Sequence, residues 1–139
     1  MIDLQNCKFV NALSPQSING TDTDGNAIDM KGYAYLCLVY QTGAVGAADF
    51  DALQVKECET SGGSYTAITG TAMTAPTQSN DDVVWAWFIP WNGQRKRYAK
   101  INANPGAAAT LMSAVAILGR AEQSPATATE RGLVQNIVL

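Results

Sequence analysis

The 139-residue chain carries 9 basic and 12 acidic residues, no histidine and three cysteines, for a net charge of −3. That length fits one domain able to bury a core without disulfide or metal support. The acidic balance, with a sequence pI of about 4.7, gives no general attraction to nucleic acid or to an anionic membrane. Without histidine, neither a Ser-His-Asp nor a Cys-His arrangement can be built.

Charged residues make up only 15% of the chain, against a usual share of about 25%. So few charges point toward an oligomer or a member of an assembly, unless Ser, Thr, Asn and Gln do the solvating. Cys7, Cys37 and Cys58 are too widely spaced for a zinc or redox pattern and cannot all pair within one chain. They read as reduced, mostly buried thiols. MIDLQNCKFV places Asp3 early and lacks a basic start followed by an apolar segment, so no secretory signal is expected.

In chain order, the pattern is of short apolar or alternating runs closed by turn residues, which favours strands. After an N-terminal segment around Ile2 to Val10, residues 14–26 (SPQSINGTDTDGN) have the composition of a long loop, with Asp24-Gly25 as a turn dipeptide. From Tyr33 to Tyr40 both faces are apolar, which predicts a central strand covered on two sides. Leu53 to Glu59 alternates: Leu53, Val55 and Glu57 lie on one face and Gln54, Lys56 and Cys58 on the other, as expected of a strand with one face toward solvent. A Ser/Gly turn then leads into Tyr65-Thr66-Ala67-Ile68, predicting a hairpin.

Residues 69–82 form a second long polar loop. Val83 to Ile89 is a strong strand, with Val83, Trp85, Trp87 and Ile89 on one face and Val84, Ala86 and Phe88 on the other; Pro90 stops it. After an Asn92-Gly93 turn, Arg97 to Ala103 is expected to pair back with Ala99 and Ile101 inward. Thr110 to Leu118 lies in an apolar stretch (Ala107 to Gly119) too short to span a bilayer. Its alanines are compatible with a helix, but its Gly and Pro neighbours and its length favour a strand. Residues 120–139 read as a polar linker followed by an apolar arm, Leu133 to Leu139. The expected fold is all-β with little helix: a single-domain antiparallel β-sandwich, jelly-roll-like, spanning 1–139 with roughly seven to nine short strands.

Four candidate features follow. Asp22, Asp24, Asn26 and Asp29 set oxygen ligands at near-alternate positions, as calcium requires. Gly25 falls at the wrong place for an EF-hand loop and no bidentate glutamate follows, so the segment reads as an Asx-rich turn and no metal site is expected. Arg95, Lys96 and Arg97, with Lys100 nearby, lie beside Trp85, Trp87 and Trp91, and guanidinium on indole makes a competent partner anchor. The plainer alternative puts Trp85 and Trp87 in the core with the cations solvating a hairpin end. Trp91, between Pro90 and a turn, is the tryptophan expected to be exposed. Paired carboxylates at Asp49/Asp51, Asp81/Asp82 and Glu57/Glu59 all fall in loops or on a solvent face, and adjacency alone does not create separate acid and base environments. Glycosidase chemistry needs only two carboxylates, yet no catalytic residue stands out. Gly43 to Gly46 lacks the lysine and hydroxyl of a phosphate loop.

The stretches NAIDMKGYAYLCLVYQTG, DALQVKECETSGGSYTAI, KRYAKINANPG and AILGRAEQSP resemble a group of small virion structural proteins of tailed bacteriophages. These are found among head genes and described as head decoration, cement or minor capsid proteins. The resemblance covers residues 20–125 and rests on turn-and-strand signatures. It implies a β-sandwich made in the host cytoplasm that binds the outside of the major capsid protein lattice, usually as a symmetric homo-oligomer. It implies no enzymatic activity, no cofactor, and no nucleic-acid or membrane partner. Trp91, Arg95, Lys96, Arg97, Leu133 and Ile137 are the candidate partner contacts. Similar strand patterns occur in carbohydrate-binding sandwiches, where Trp91, Tyr65 and loop carboxylates would form the platform. A head–tail joining or tail component is a further alternative.

Overall fold

The computed structural model describes residues 4–46, 50–74, 76–77, 79–135 and 137. After a short 3-10 turn at Leu4–Asn6, nine strands follow: β1 Lys8–Ile18, β2 Thr23–Asp24, β3 Ile28–Asp29, β4 Tyr33–Thr42, β5 Ala52–Cys58, β6 Thr66–Ala67, β7 Val84–Pro90, β8 Tyr98–Asn104 and β9 Thr110–Ala121. They form two antiparallel sheets. Sheet A has the order β1-β9-β4-β7, and sheet B the order β2-β8-β5-β6, with β3 also on β8. β2 and β3 pair with opposite ends of β8, so they act as one interrupted edge strand. Counting them together, the chain alternates between sheets at every step except the β5–β6 hairpin. That is the jelly-roll order.

Inward-facing residues alternate along each long strand and meet between the sheets. Leu36, Leu38 and Tyr40 from β4 face Leu53 and Val55 from β5 and Ala99, Ile101 and Ala103 from β8, all essentially buried. The polar tips of the large aromatics are satisfied: Tyr40 Oη bonds Met112 Sδ at 3.6 Å, and Trp87 Nε1 donates to the Thr71 carbonyl at 2.7 Å. Burial pushes the Tyr40 phenol well above its ordinary pKa.

The strand reading of Thr110 to Leu118 holds, as does the Tyr65–Ile68 hairpin. Residues 69–82 contain no strand among their described residues; positions 75 and 78 lie outside the description, as does Ile2 of the N-terminal segment. Four expectations are corrected. Residues 14–26 are not one loop, because β1 runs on to Ile18. Its polar residues are tolerated because β1 is an edge strand, and bulges between Asn11 and Gln16 absorb Pro15.

Asp24-Gly25 is no tight turn. Gly25 lacks a positive φ and is required for space instead. A Cβ there would collide with the Ala12 carbonyl oxygen and lie 2.7 Å from Ile101 Cγ2. Its N–H donates to Ile101 of sheet B and the next N–H, Asn26, donates to Ala12 of sheet A, both at 2.8 Å. Gly25 therefore stitches the two sheets together along one side.

Arg97 to Ala103 does form a strand with Ala99 and Ile101 inward, but it pairs with β5 in the other sheet rather than back onto β7. Cys58 is buried, in line with the reading of the cysteines as mostly buried thiols, because the 60–65 turn folds over it. The stretch 120–139 is not a linker. Residues 120 and 121 finish β9, and Thr127 to Leu133 make one helical turn. Thr127 and Glu130 exchange side-chain-to-backbone bonds as a capping box. Gly132, at φ +75°, closes the turn, with Gly132 N–H on Thr129 and Leu133 N–H on Ala128, the Schellman pattern. The turn docks on β1: Phe9 N–H donates to the Arg131 carbonyl at 2.7 Å, and Arg131 Nε donates to the Gln5 carbonyl at 2.6 Å.

Candidate functional site

Trp91 is buried at 7% exposure, contrary to expectation. The turn after Pro90 wraps the ring, and Trp91 Nε1 donates to the Lys96 carbonyl at 3.0 Å. Trp85 is half-buried and packs on Tyr40, with ring centroids 5.7 Å apart. The cations beside Trp91 are committed within the chain. Arg95 sits 3.7 Å from Glu57, which also accepts the Lys96 N–H. Lys96 Nζ reaches Thr66 Oγ1 at 3.1 Å, and Lys100 Nζ lies 4.5 Å from the Tyr65 ring centroid. Arg97 makes a two-pronged pair with Asp29 at 2.9 and 2.7 Å. That hydrogen bond holds the Asp29 carboxyl below its ordinary pKa against the opposing effect of burial, with further help from the Lys31 N–H.

An open hollow of about 320 Å3 at this end is lined by Lys31, Tyr33, Glu59, Asn92, Arg95 and Arg97. Tyr33 also borders a second hollow with Lys8 and Glu130, so the Trp91 loop and the C-terminal turn share one end of the sandwich. Leu133 is half-buried there, while Val134 and Ile137 are exposed. The rest of the expected arm, at positions 136, 138 and 139, lies outside the described residues.

The acidic segment does not converge. Asn102 Nδ2 donates to Asp22 and Asp24 at 2.6 and 2.8 Å, and Lys56 Nζ lies 3.3 Å from Asp24. Asn26 bonds the Asn11 carbonyl and Asp29 is held by Arg97. Among the described residues, no group of three or more His, Cys, Asp or Glu is placed to hold a metal ion. Of the paired carboxylates, Glu57 serves Arg95, Asp81 accepts the Val45 N–H at 2.7 Å, and Asp49 lies outside the described residues. Gly43, Val45 and Gly46 spend their N–H groups on Leu111, Asp81 and Thr110, so the Gly43–Gly46 loop does not turn them toward a phosphate.

The sugar-platform reading is weakened by the same geometry. The Trp91 indole is packed away, and one face of Tyr65 carries the Lys100 ammonium.

The feature that sequence reasoning missed is the outer face of sheet A. The doubly apolar β4 is indeed central in its sheet, between β9 and β7, but its second face is left half-open. The strand register sets Ile117, Cys37 and Phe88 in one row across three strands and Val115, Val39 and Ala86 in the next. Phe88 is 66% exposed, Val84 62% and Val115 45%. An apolar hollow of about 210 Å3 in this face is lined by Leu4, Cys7, Tyr35, Cys37, Phe88 and Ile117. Arg120, whose guanidinium lies 5.5 Å from the Tyr35 ring centroid, supplies a cation at its margin. Cys37 is a free thiol whose pKa is raised by burial, so it behaves here as a small apolar group. The signal was in the sequence: Tyr33 to Tyr40 is apolar on both faces and Val84, Ala86 and Phe88 continue the second one. The expected cover on the second side is not supplied by the described residues.

Such a face can bind apolar surface. Compared with known proteins, the chain matches no family model and no curated relative.

Proposed function

We propose that the chain is a non-enzymatic structural protein of a tailed-phage virion, which binds the outer capsid lattice and stabilises the shell. The observation that carries this reading is the uncharged, half-open outer face of sheet A, set on a rigid jelly-roll scaffold. Jelly rolls serve in viral capsid and lectin domains alike, so the fold alone does not choose. The resemblance over residues 20–125 to head decoration and cement proteins supplies the partner.

Binding would bury apolar surface where capsid subunits meet, at roughly 25 cal/mol per Å2 before association costs are subtracted. Repetition over many equivalent lattice positions turns a modest contact into stabilisation of the whole shell. On this reading the chain resides on the capsid exterior, after synthesis in the bacterial cytoplasm.

The test is reconstitution. Shells purified without this chain should take up the added protein saturably, at hundreds of copies per particle, and should then withstand higher temperature. Val115→Lys, in the middle of the face, should bind about tenfold more weakly, equivalent to about 1.4 kcal/mol. Shells that bind none of the protein and are equally robust without it would overturn the proposal. A copy number of only a few per particle would move the protein to the head–tail junction or tail.

A further inference from the structure

The two edges of sheet A are finished differently. On β1 the outward backbone is already in use: Phe9 N–H goes to Arg131, and the Asn11 and Ala12 carbonyls accept bonds from Asn26. Two register shifts and Pro15 break what remains. On β7 nothing comparable is found. Trp91 N–H donates to Ala34 and the Val83 carbonyl accepts from Thr42, which fixes the parity of the ladder. Odd-numbered residues from 83 to 91 turn their backbone to β4, so Val84, Ala86 and Phe88 turn theirs away from the sheet. Among the described residues, β7 has no second strand neighbour, and Val84, Ala86 and Phe88 make no backbone bond outside the sheet. The strand, VWAWFIP, is uncharged and has no proline before its last residue. Proteins ordinarily blunt such an edge with charge, proline or bulges.

We infer that β7 pairs antiparallel with β7 of a second copy of this chain, joining two four-stranded sheets into one of eight. A second copy is favoured over another strand for two reasons. A two-fold axis at Ala86 sets each Phe88 opposite Val84 of the second copy on the outer face, an aromatic against a β-branched residue, which is a favourable cross-strand pair. It also lets Val84, Ala86 and Phe88 exchange about six backbone hydrogen bonds with their counterparts. With no charge in the strand, nothing in it repels its own copy. The pairing extends the apolar outer face across both copies. It is independent of the capsid reading, because it concerns the isolated protein.

The test is the solution mass of the intact chain together with amide hydrogen exchange. The mass should be twice 14.7 kDa. The amides of Val84, Ala86 and Phe88 should be protected as well as those of Trp85, Trp87 and Ile89. Ala86→Pro removes an outward N–H and spares every bond to β4, so it should give a folded monomer. Should that variant fail to fold, a register test replaces it. Val84→Lys with Phe88→Lys opposes like charges and should give a monomer, whereas Val84→Glu with Phe88→Lys opposes unlike charges and should restore the dimer. A wild-type mass of 14.7 kDa through the micromolar range overturns the inference. So does a dimer whose Val84, Ala86 and Phe88 amides exchange freely, or one indifferent to both charge pairs.

Discussion

The outer faces of the two sheets cover the same core and differ in how they meet water. On sheet B, Lys56 pairs with Asp24, Asn102 bridges Gln54 to Asp22 and Asp24, and Lys100 lies over Tyr65. That face is finished within the chain. On sheet A, the corresponding positions carry Val84, Phe88, Val115 and Ile117, and few polar groups answer them. A scattered exposed hydrophobe needs no explanation, but a contiguous apolar face marks an interaction surface. The difference teaches that an undistinguished core can support two unlike exteriors, and that function is to be sought on the unfinished one.

Both faces depend on the sheets being held in register, so the largest effect is expected where the sheets are stitched. Gly25→Ala drives a Cβ into the Ala12 carbonyl and against Ile101, neither of which has room to yield. The expected loss is about 3 kcal/mol in chemical denaturation. An unchanged midpoint would mean that β1 and β8 part easily and that the two exteriors are only weakly coupled.

Next comes the finished face alone. Asn102→Ala removes a 2% exposed amide that serves Gln54, Asp22 and Asp24 at once. Hydrogen bonds to charged groups are the stronger kind, so a loss of about 2 kcal/mol is expected from urea titration. A neutral result would show that water replaces the network without cost, and sheet B would no longer differ from sheet A in being tied down.

A smaller effect should appear on the acid side. The folded Asp29 pKa lies below its ordinary 3.8, chiefly through Arg97. Its contribution is therefore complete above the ordinary value and disappears as pH falls through the lowered one. Wild type should lose more stability than Asp29→Asn on descending from about pH 5 to about pH 2. Both side chains are 44% exposed, so the gap should be slight and should shrink in salt. Parallel acid curves for the two proteins would refute the assignment.

Much of this was legible in the sequence. The alternation in Leu53 to Val55 and in Ala99 to Ala103 gave the inward faces, and the Gly and Pro breaks gave the strand ends. What turn residues cannot say is which sheet the next strand joins. Asn92-Gly93 reads equally well as a hairpin or as a crossover, so the pairing of β8 with β5 was hidden. Composition also misled at β1, since Ser14, Pro15, Gln16 and Ser17 look like loop but sit on an edge strand facing solvent. Trp91 was misplaced because flanking Pro and Gly say nothing about a ring that the following turn encloses. The C-terminal turn, by contrast, was readable: Thr127, Glu130 and Gly132 stand at capping-box and Schellman spacing. Open apolar surface is the hardest feature to read, because alternation tells that two faces are greasy and not whether the chain has enough material to cover both.

The smallest effect carries the sharpest contrast. Val115→Thr keeps the shape and β-branching of a residue that is 45% exposed on the central strand β9, opposite Val39. If that face is unfinished in the isolated chain, exchanging a methyl for a hydroxyl removes little burial, and the change in stability should stay within about 0.5 kcal/mol. Binding of a hydrophobic dye such as ANS should fall at the same time. A clear destabilisation would instead mean that Val115 is already covered in solution, either by a second copy or by the chain's own C-terminal residues. Repeating the measurement over a range of protein concentration separates the two, since only the first depends on concentration.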